Sequence, residues 1–161
     1  MSPHTGGTAI SGFHRRGPLL ASAPMQRTLA LVKPDAYAAG HAGAILAKIQ
    51  ESGLTIVAAK SLHLTRAQAE GFYHVHKERP FFGDLCTFMT EGKIMALVLE
   101  GENAIKRWRD LMGPTNATEA PKDTIRGQFG TSIERNATHG SDAEDTAAFE
   151  TGYFFAGLEL S

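Results

Sequence analysis

Short β-rich apolar runs alternate with stretches of helical period along most of this chain, and neither kind is long. Runs of roughly four to eight such residues, cut off by Gly or Pro, read as strands, and the segments between them are long enough for one helix each. The first run, Thr28-Leu29-Ala30-Leu31-Val32, stops at Lys33-Pro34-Asp35, because proline has no N–H to give to a sheet ladder. Ala42 to Glu51 carries Ile45, Leu46 and Ile49 on one helical face, with Gly53 placed to end it. Leu54 to Leu64 reads as the second strand, and Thr65 with Gln68 forms a capping box for a helix reaching about His76. Pro80-Phe81-Phe82-Gly83 breaks that helix. Leu85, Phe88 and Met89 give a short one before Gly92, and Lys93 to Glu100 is the third strand.

Asn103 can cap a helix that Gly113-Pro114 ends after Met112, followed by a loop from Thr115 to Lys122. Thr124 to Arg126 is a short helix or turn, and Phe129 to Ile133 supplies a fourth strand. Ser141 and Glu144 form a second capping box, opening a helix to about Gly152. With turns removed, the order approximates βαββαβ. That is the α+β, ferredoxin-like arrangement of an antiparallel sheet with helices packed on one face, plus an extra loop and a C-terminal helix.

A chain of 161 residues is long enough for one domain with a full core. Residues 25–161 read as that domain. Met1 to Pro24 is rich in Gly, Ser, Ala and Pro and contains Arg15 and Arg16 but no acid. It reads as a disordered leader or a start-site extension, with an organelle transit peptide as the alternative. The formal net charge of −1 gives nucleic acid no electrostatic foothold, and the apolar run Ile94 to Leu99 is too short to span a bilayer. Neither a stable nucleic-acid partner nor a membrane partner is expected. A single cysteine fits a reducing, cytoplasmic setting. Asn116-Ala117-Thr118 and Asn136-Ala137-Thr138 match the glycosylation acceptor pattern and read as chance matches.

Of the seven histidines, His139 has the most suggestive setting: Gly140, Ser141 and Asp142 follow it, just before a helix start. A small residue, a hydroxyl and a carboxylate suit an exposed, working imidazole. No other His, Cys, Asp or Glu is spaced with it as a metal site demands, so nucleophile or general base outranks metal ligand. Other candidates stand where elements end: Lys33 after the first strand, Tyr73 near a helix end, Phe81 after Pro80, Arg109 on a helix with Thr115 beyond it, and Arg126 after the long loop. Cations and hydroxyls hold phosphate oxygens, and a phenyl ring stacks a base without reading it. Neither a P-loop nor a GxGxxG motif is present, so a nucleotide would be held by side chains. Singly, each has an ordinary reading: a solvated lysine, an exposed helix face, a core phenylalanine, a turn threonine, or, for Glu150, a surface acid. Spacing alone does not bring them together.

Several stretches together resemble the nucleoside diphosphate kinase family, in its short bacterial form. They are Leu31-Val32-Lys33-Pro34-Asp35, Lys77-Glu78-Arg79-Pro80-Phe81-Phe82 and Leu99-Glu100-Gly101-Glu102-Asn103-Ala104, then Gly113-Pro114-Thr115-Asn116 and Thr124-Ile125-Arg126-Gly127. The last is Asn136-Ala137-Thr138-His139-Gly140-Ser141-Asp142, and the resemblance runs from about Arg27 to about Phe155. It implies transfer of the γ-phosphate of ATP or another NTP to an NDP or dNDP, by a ping-pong route through a phosphohistidine. His139 would be the nucleophile at Nδ1, oriented by Glu150 with help from Ser141. Lys33, Tyr73 and Arg126 would surround the moving phosphoryl group, and Arg109 and Thr115 would hold the β-phosphate. Lys33 and Asn136 would contact the sugar, and Phe81 would stack on the base, with broad base and sugar tolerance. Mg2+ would arrive on the nucleotide, with Asp142 at most a water-mediated contact. The resemblance also implies a homo-oligomer built from dimers. Asn116-Ala117 replaces the Asn-Pro common in the family, and the early C-terminus resembles tetramer-formers more than hexamers. A binding scaffold on this fold would be expected to lack the histidine or a phosphate ligand, and a phosphohistidine donor to other proteins would use the same His139.

Overall fold

The computed structural model describes residues 22–161, so nearly all of the leader segment lies outside the described residues. Its centre is a four-stranded antiparallel sheet in the order β2-β3-β1-β4. The strands are β1 (Met25–Val32), β2 (Thr55–Leu62), β3 (Ile94–Glu102) and β4 (Thr138–Gly140). The helices are α1 (Pro34–Ala38), α2 (Ala42–Glu51), α3 (Arg66–Phe72), α4 (Phe82–Met89), α5 (Ala104–Met112), α6 (Ile125–Phe129) and α7 (Glu144–Phe154). This is the ferredoxin-like α+β topology that the order of elements predicts.

The helices cover both faces of the sheet rather than one. Successive side chains of β1 point to opposite faces. Leu29 and Leu31 pack with Phe72, Phe88, Met89 and Phe154, while Ala30 and Val32 pack with Ile45, Ile49, Trp108 and Met112. That explains the unbroken apolar runs Leu29–Val32 in β1 and Ile94–Leu99 in β3: both faces are core there. The Thr65–Gln68 capping box forms as expected and starts α3. Pro34 both ends β1 and opens α1, a helix not apparent from the pattern, because proline suits the first helical position.

Two further expectations are corrected. The fourth strand is not Phe129–Ile133. Phe129 closes α6, and Ile133 stands 62% exposed in the following loop, where Thr131 N–H bonds Arg135 C=O at 2.7 Å. The strand is instead Thr138–Gly140, three residues with almost no apolar signal, defined by pairing with Ala30, Leu31 and Val32 of β1. The Ser141–Glu144 box does not form either. Thr146 Oγ1 accepts the Ala143 and Asp142 N–H groups at the start of α7, and Ser141 is fully buried behind β4. Gly140 is needed where it stands, because a Cβ there would lie 2.6 Å from Trp108 and Met112 of α5. This close approach seats β4 on the helix.

Candidate active site

His139 projects from β4, paired with Leu31, and its carbonyl accepts the Trp108 indole N–H at 3.1 Å. A line of hydrogen bonds runs behind the imidazole. Leu29 N–H donates to Ser141 Oγ at 3.3 Å, Ser141 Oγ donates to Glu150 Oε1 at 3.2 Å, and His139 Nε2 meets the same oxygen at 2.5 Å. A carboxylate can only accept, so in the neutral ring Nε2 carries the proton and Nδ1 keeps its lone pair. The Phe72 ring packs against the imidazole at 5.4 Å and the Tyr73 ring at 6.3 Å, both edge to face. The ring is thus fixed in position and tautomer before any ligand arrives.

His139 lines a cleft of about 600 Å3. Lys33, Tyr73, Phe81, Arg109, Thr115, Arg126, Asn136 and Asp142 line it too, although they come from elements spread across the chain. Glu150 and Ser141 stand behind His139 rather than in the wall. Lys33 is buried, and its Nζ donates to Asn136 Oδ1 at 2.8 Å and to the Glu134 carbonyl at 3.0 Å. Burial draws its pKa down to about 8. The nearby Asp35 charge opposes that shift, and Arg126 adds to it. Arg126 donates to the carbonyls of Gly113 and Thr138 at 3.0 Å each, and burial, then the neighbouring Arg109 charge, lowers it to about 10. Burial pushes the Tyr73 phenol well above its ordinary value, so the hydroxyl remains a neutral donor. Three like charges thus face one space, which costs energy unless an anion enters. Arg109 meets that demand at the rim by pairing with Asp142.

The Phe81 end is open, with apolar side chains beside His76 and Asp84. Phe81 is 50% exposed, with His76 at 5.5 Å between ring centroids, and Leu85 and Ile133 line the same cleft. Thr115 enters through its neighbours as well, its carbonyl accepting Asn136 Nδ2 at 3.0 Å. Sequence reasoning did not find Asp35, Trp108, Leu85 or Ile133. Asp35 stands in the Lys33-Pro34-Asp35 motif, which was a signal of a kind, whereas Ile133 is conspicuous only as an apolar side chain left in solvent. Among the described residues, no group of three or more His, Cys, Asp or Glu is placed to hold a metal ion.

An oriented imidazole at the end of a cleft rich in buried cations, with an aromatic plate at its mouth, defines a class: a phosphotransferase that handles nucleotides on side chains rather than on a glycine-rich loop. Residues 26–160 match the family model described as nucleoside diphosphate kinase. Nucleoside diphosphate kinase of Syntrophotalea carbinolica is 59% identical over 136 residues, 84% of this chain and 99% of that protein. The enzyme of Oleidesulfovibrio alaskensis is 58% identical over 84% of this chain and 98% of that protein. Among solved structures, Aquifex aeolicus nucleoside diphosphate kinase has a TM-score of 0.84 and 45% identity, covering 86% of this chain and 100% of that one. A Halobacterium salinarum nucleoside diphosphate kinase in complex with CDP has a TM-score of 0.81 and 38% identity, covering 84% of this chain and 91% of that one. The chain belongs to the nucleoside diphosphate kinase family, and its activity is the transfer of the terminal phosphate of a nucleoside triphosphate to a nucleoside diphosphate.

Proposed function

We propose that His139 Nδ1 carries the phosphoryl group between the two half-reactions. The observation that carries this assignment is the Glu150 carboxylate bonded to Nε2, which leaves the opposite nitrogen unprotonated in a cleft lined by Lys33, Arg126 and Tyr73. In the first half-reaction the Nδ1 lone pair attacks the γ-phosphorus, the bond to the β,γ-bridging oxygen breaks, and the diphosphate leaves with that electron pair. The imidazolium so formed keeps its Nε2 proton, stabilised by Glu150. In the second half an oxygen of the incoming diphosphate's terminal phosphate attacks the same phosphorus, and the P–N bond breaks. No proton has to move, which suits a site whose contribution is alignment and charge.

Lys33, Arg126 and the neutral Tyr73 hydroxyl face the moving phosphoryl group. Arg109 and Thr115 hold the β-phosphate, with Arg109 exchanging Asp142 for a phosphate oxygen. Asn136, bonded to Lys33, stands with it at the sugar. Phe81 stacks on the base, and stacking distinguishes bases poorly, so ribo- and deoxynucleotides with any base are substrates. The acids present suit a Mg2+ carried on the nucleotide, since among the described residues the cleft offers scattered carboxylates and not a ligand cluster. When bound, the ion neutralises phosphate oxygens and holds them in line, with Asp142 at most a contact through water.

The edge position and half-exposed side chains of β2 support assembly into a homo-oligomer built from dimers. The buried free thiol of Cys86 supports a reducing, cytoplasmic setting. Among the described residues, no helix is long and apolar enough to cross a membrane. The site assignment is tested by incubating the protein with γ-labelled ATP and trapping the product in alkali. Wild type should retain acid-labile, alkali-stable label, and His139→Gln should retain none. Label on the variant would sink the assignment.

A further inference from the structure

Asp35 lies in the first turn of α1, two residues after Lys33. Its Oδ2 accepts the Ala137 N–H at 3.0 Å, and the Ala137 carbonyl accepts the Lys33 N–H at 2.8 Å. Ala137 is fully buried at φ 71°, in the left-handed region an alanine seldom adopts. The next residue begins β4, three residues long, with His139 at its centre. A strand that short has little hold on its own register, so the two hydrogen bonds to Ala137 fix where His139 sits.

The second Asp35 oxygen, Oδ1, is closed off from solvent and has no hydrogen-bond partner among the described residues. Its charge is answered through space by Lys33 and Arg135. Lys33 also faces the Arg126 guanidinium, the Glu134 carboxylate, the Asn136 amide and, at 5.1 Å, the Phe88 ring of α4. Arg135 covers that same ring at 4.9 Å and is itself paired with Glu91. Of the acids facing Lys33, Asp35 acts most strongly to keep its proton on.

We propose that Asp35 is a positioning residue for phosphoryl transfer: one carboxylate oxygen holds Ala137, and so His139, in register, while the buried, unpartnered second oxygen supplies negative charge beside Lys33. This rests on the roles given above to His139 and Lys33. The two functions separate by substitution. Asp35→Asn keeps an oxygen for the Ala137 N–H and removes the charge, whereas Asp35→Ala removes both.

The experiment measures kcat and the KM for ADP across pH with ATP as donor. In wild type the KM rises above pH about 8, where Lys33 loses its charge. In Asp35→Asn that rise begins about one pH unit lower. Asp35→Ala shows the same displacement and also loses kcat about tenfold at neutral pH. Adding Ala137→Gly to Asp35→Ala recovers part of that kcat, because glycine adopts a positive φ freely, but leaves the KM profile displaced. An Asp35→Asn profile superimposed on wild type, or no recovery of kcat with glycine, overturns the proposal. Alkali-stable label absent from wild type, or a Lys33→Met variant that keeps the alkaline rise in KM, instead overturns the roles of His139 and Lys33, and this inference with them.

Discussion

At one end of the cleft, His139 is held on four sides: by Glu150 at Nε2, by Trp108 at its carbonyl, by Leu31 through strand pairing and by the Phe72 ring. At the other end, Phe81 and Ile133 stand half or more exposed. The difference matches what the proposed roles ask of each end. Phosphoryl transfer needs the nucleophile aligned before the substrate arrives, so order there lowers the barrier. Base binding in an enzyme of broad scope needs only apolar contact, and rigid polar groups aimed at a base edge would restrict the range of substrates.

That contrast can be broken by substitution, beginning at the ordered end. His139→Ala should lower kcat/KM by more than about 10^4-fold, since the other imidazole of the cleft, His76, stands beside Phe81 and not on Glu150. Steady-state turnover of ATP with dTDP measures this, and residual activity within a hundredfold of wild type would show the nucleophile to lie elsewhere. Glu150→Gln should cost about 10- to 100-fold in kcat with nucleotide affinity nearly intact, because it orients the ring without touching substrate. A loss confined to KM would place Glu150 in binding instead.

Phe81→Ala, at the open end, should raise KM about tenfold for purine and pyrimidine diphosphates alike and leave kcat nearly unchanged. A loss restricted to one base would mean that this end reads identity after all. Ser141→Ala should act mainly on stability, since it strands the buried Leu29 N–H and costs about 1–3 kcal/mol in chemical denaturation.

The smallest effect is one of pH and sharpens the picture of Lys33. Its pKa is about 8 in the folded chain against an ordinary 10.5. Between these values the unfolded chain binds the extra proton, so stability rises with pH through that window. Below about 8 the ammonium is buried at full cost. Phosphate affinity moves the other way, falling as the charge is lost. Denaturation midpoints and KM measured on the same samples should therefore both rise above pH about 8. A rise in one without the other would mean that another group controls one of them.

β1 and β3 were readable because burial on both faces leaves a strong local mark, and β2, half-exposed at the sheet edge, also lies close to where its β-rich run predicts. The Thr65–Gln68 box was equally plain, because its two hydrogen bonds span three residues. β4 was not readable. Thr138-His139-Gly140 has no apolar period, and it is a strand because β1 offers an open edge and Trp108 a seat for a glycine. The same distance effect misled the reading of Ser141, whose hydroxyl could serve a local cap but is taken by Leu29 and Glu150.

The sequence by itself determined the fold class, from the alternation of strand and helix segments, and the chemical inventory of a phosphate-handling chain. Its motifs also carried the family resemblance, because each is a short run of fixed residue types. Tertiary structure alone decided that Lys33, Arg126 and His139 share one cleft, that Glu150 stands on the far nitrogen, and that Ala137 is held left-handed by Asp35. Those contacts join residues far apart along the chain, and nothing in a local pattern encodes their distance. They exist because packing both faces of one sheet brings the ends of its strands and helices to the same place.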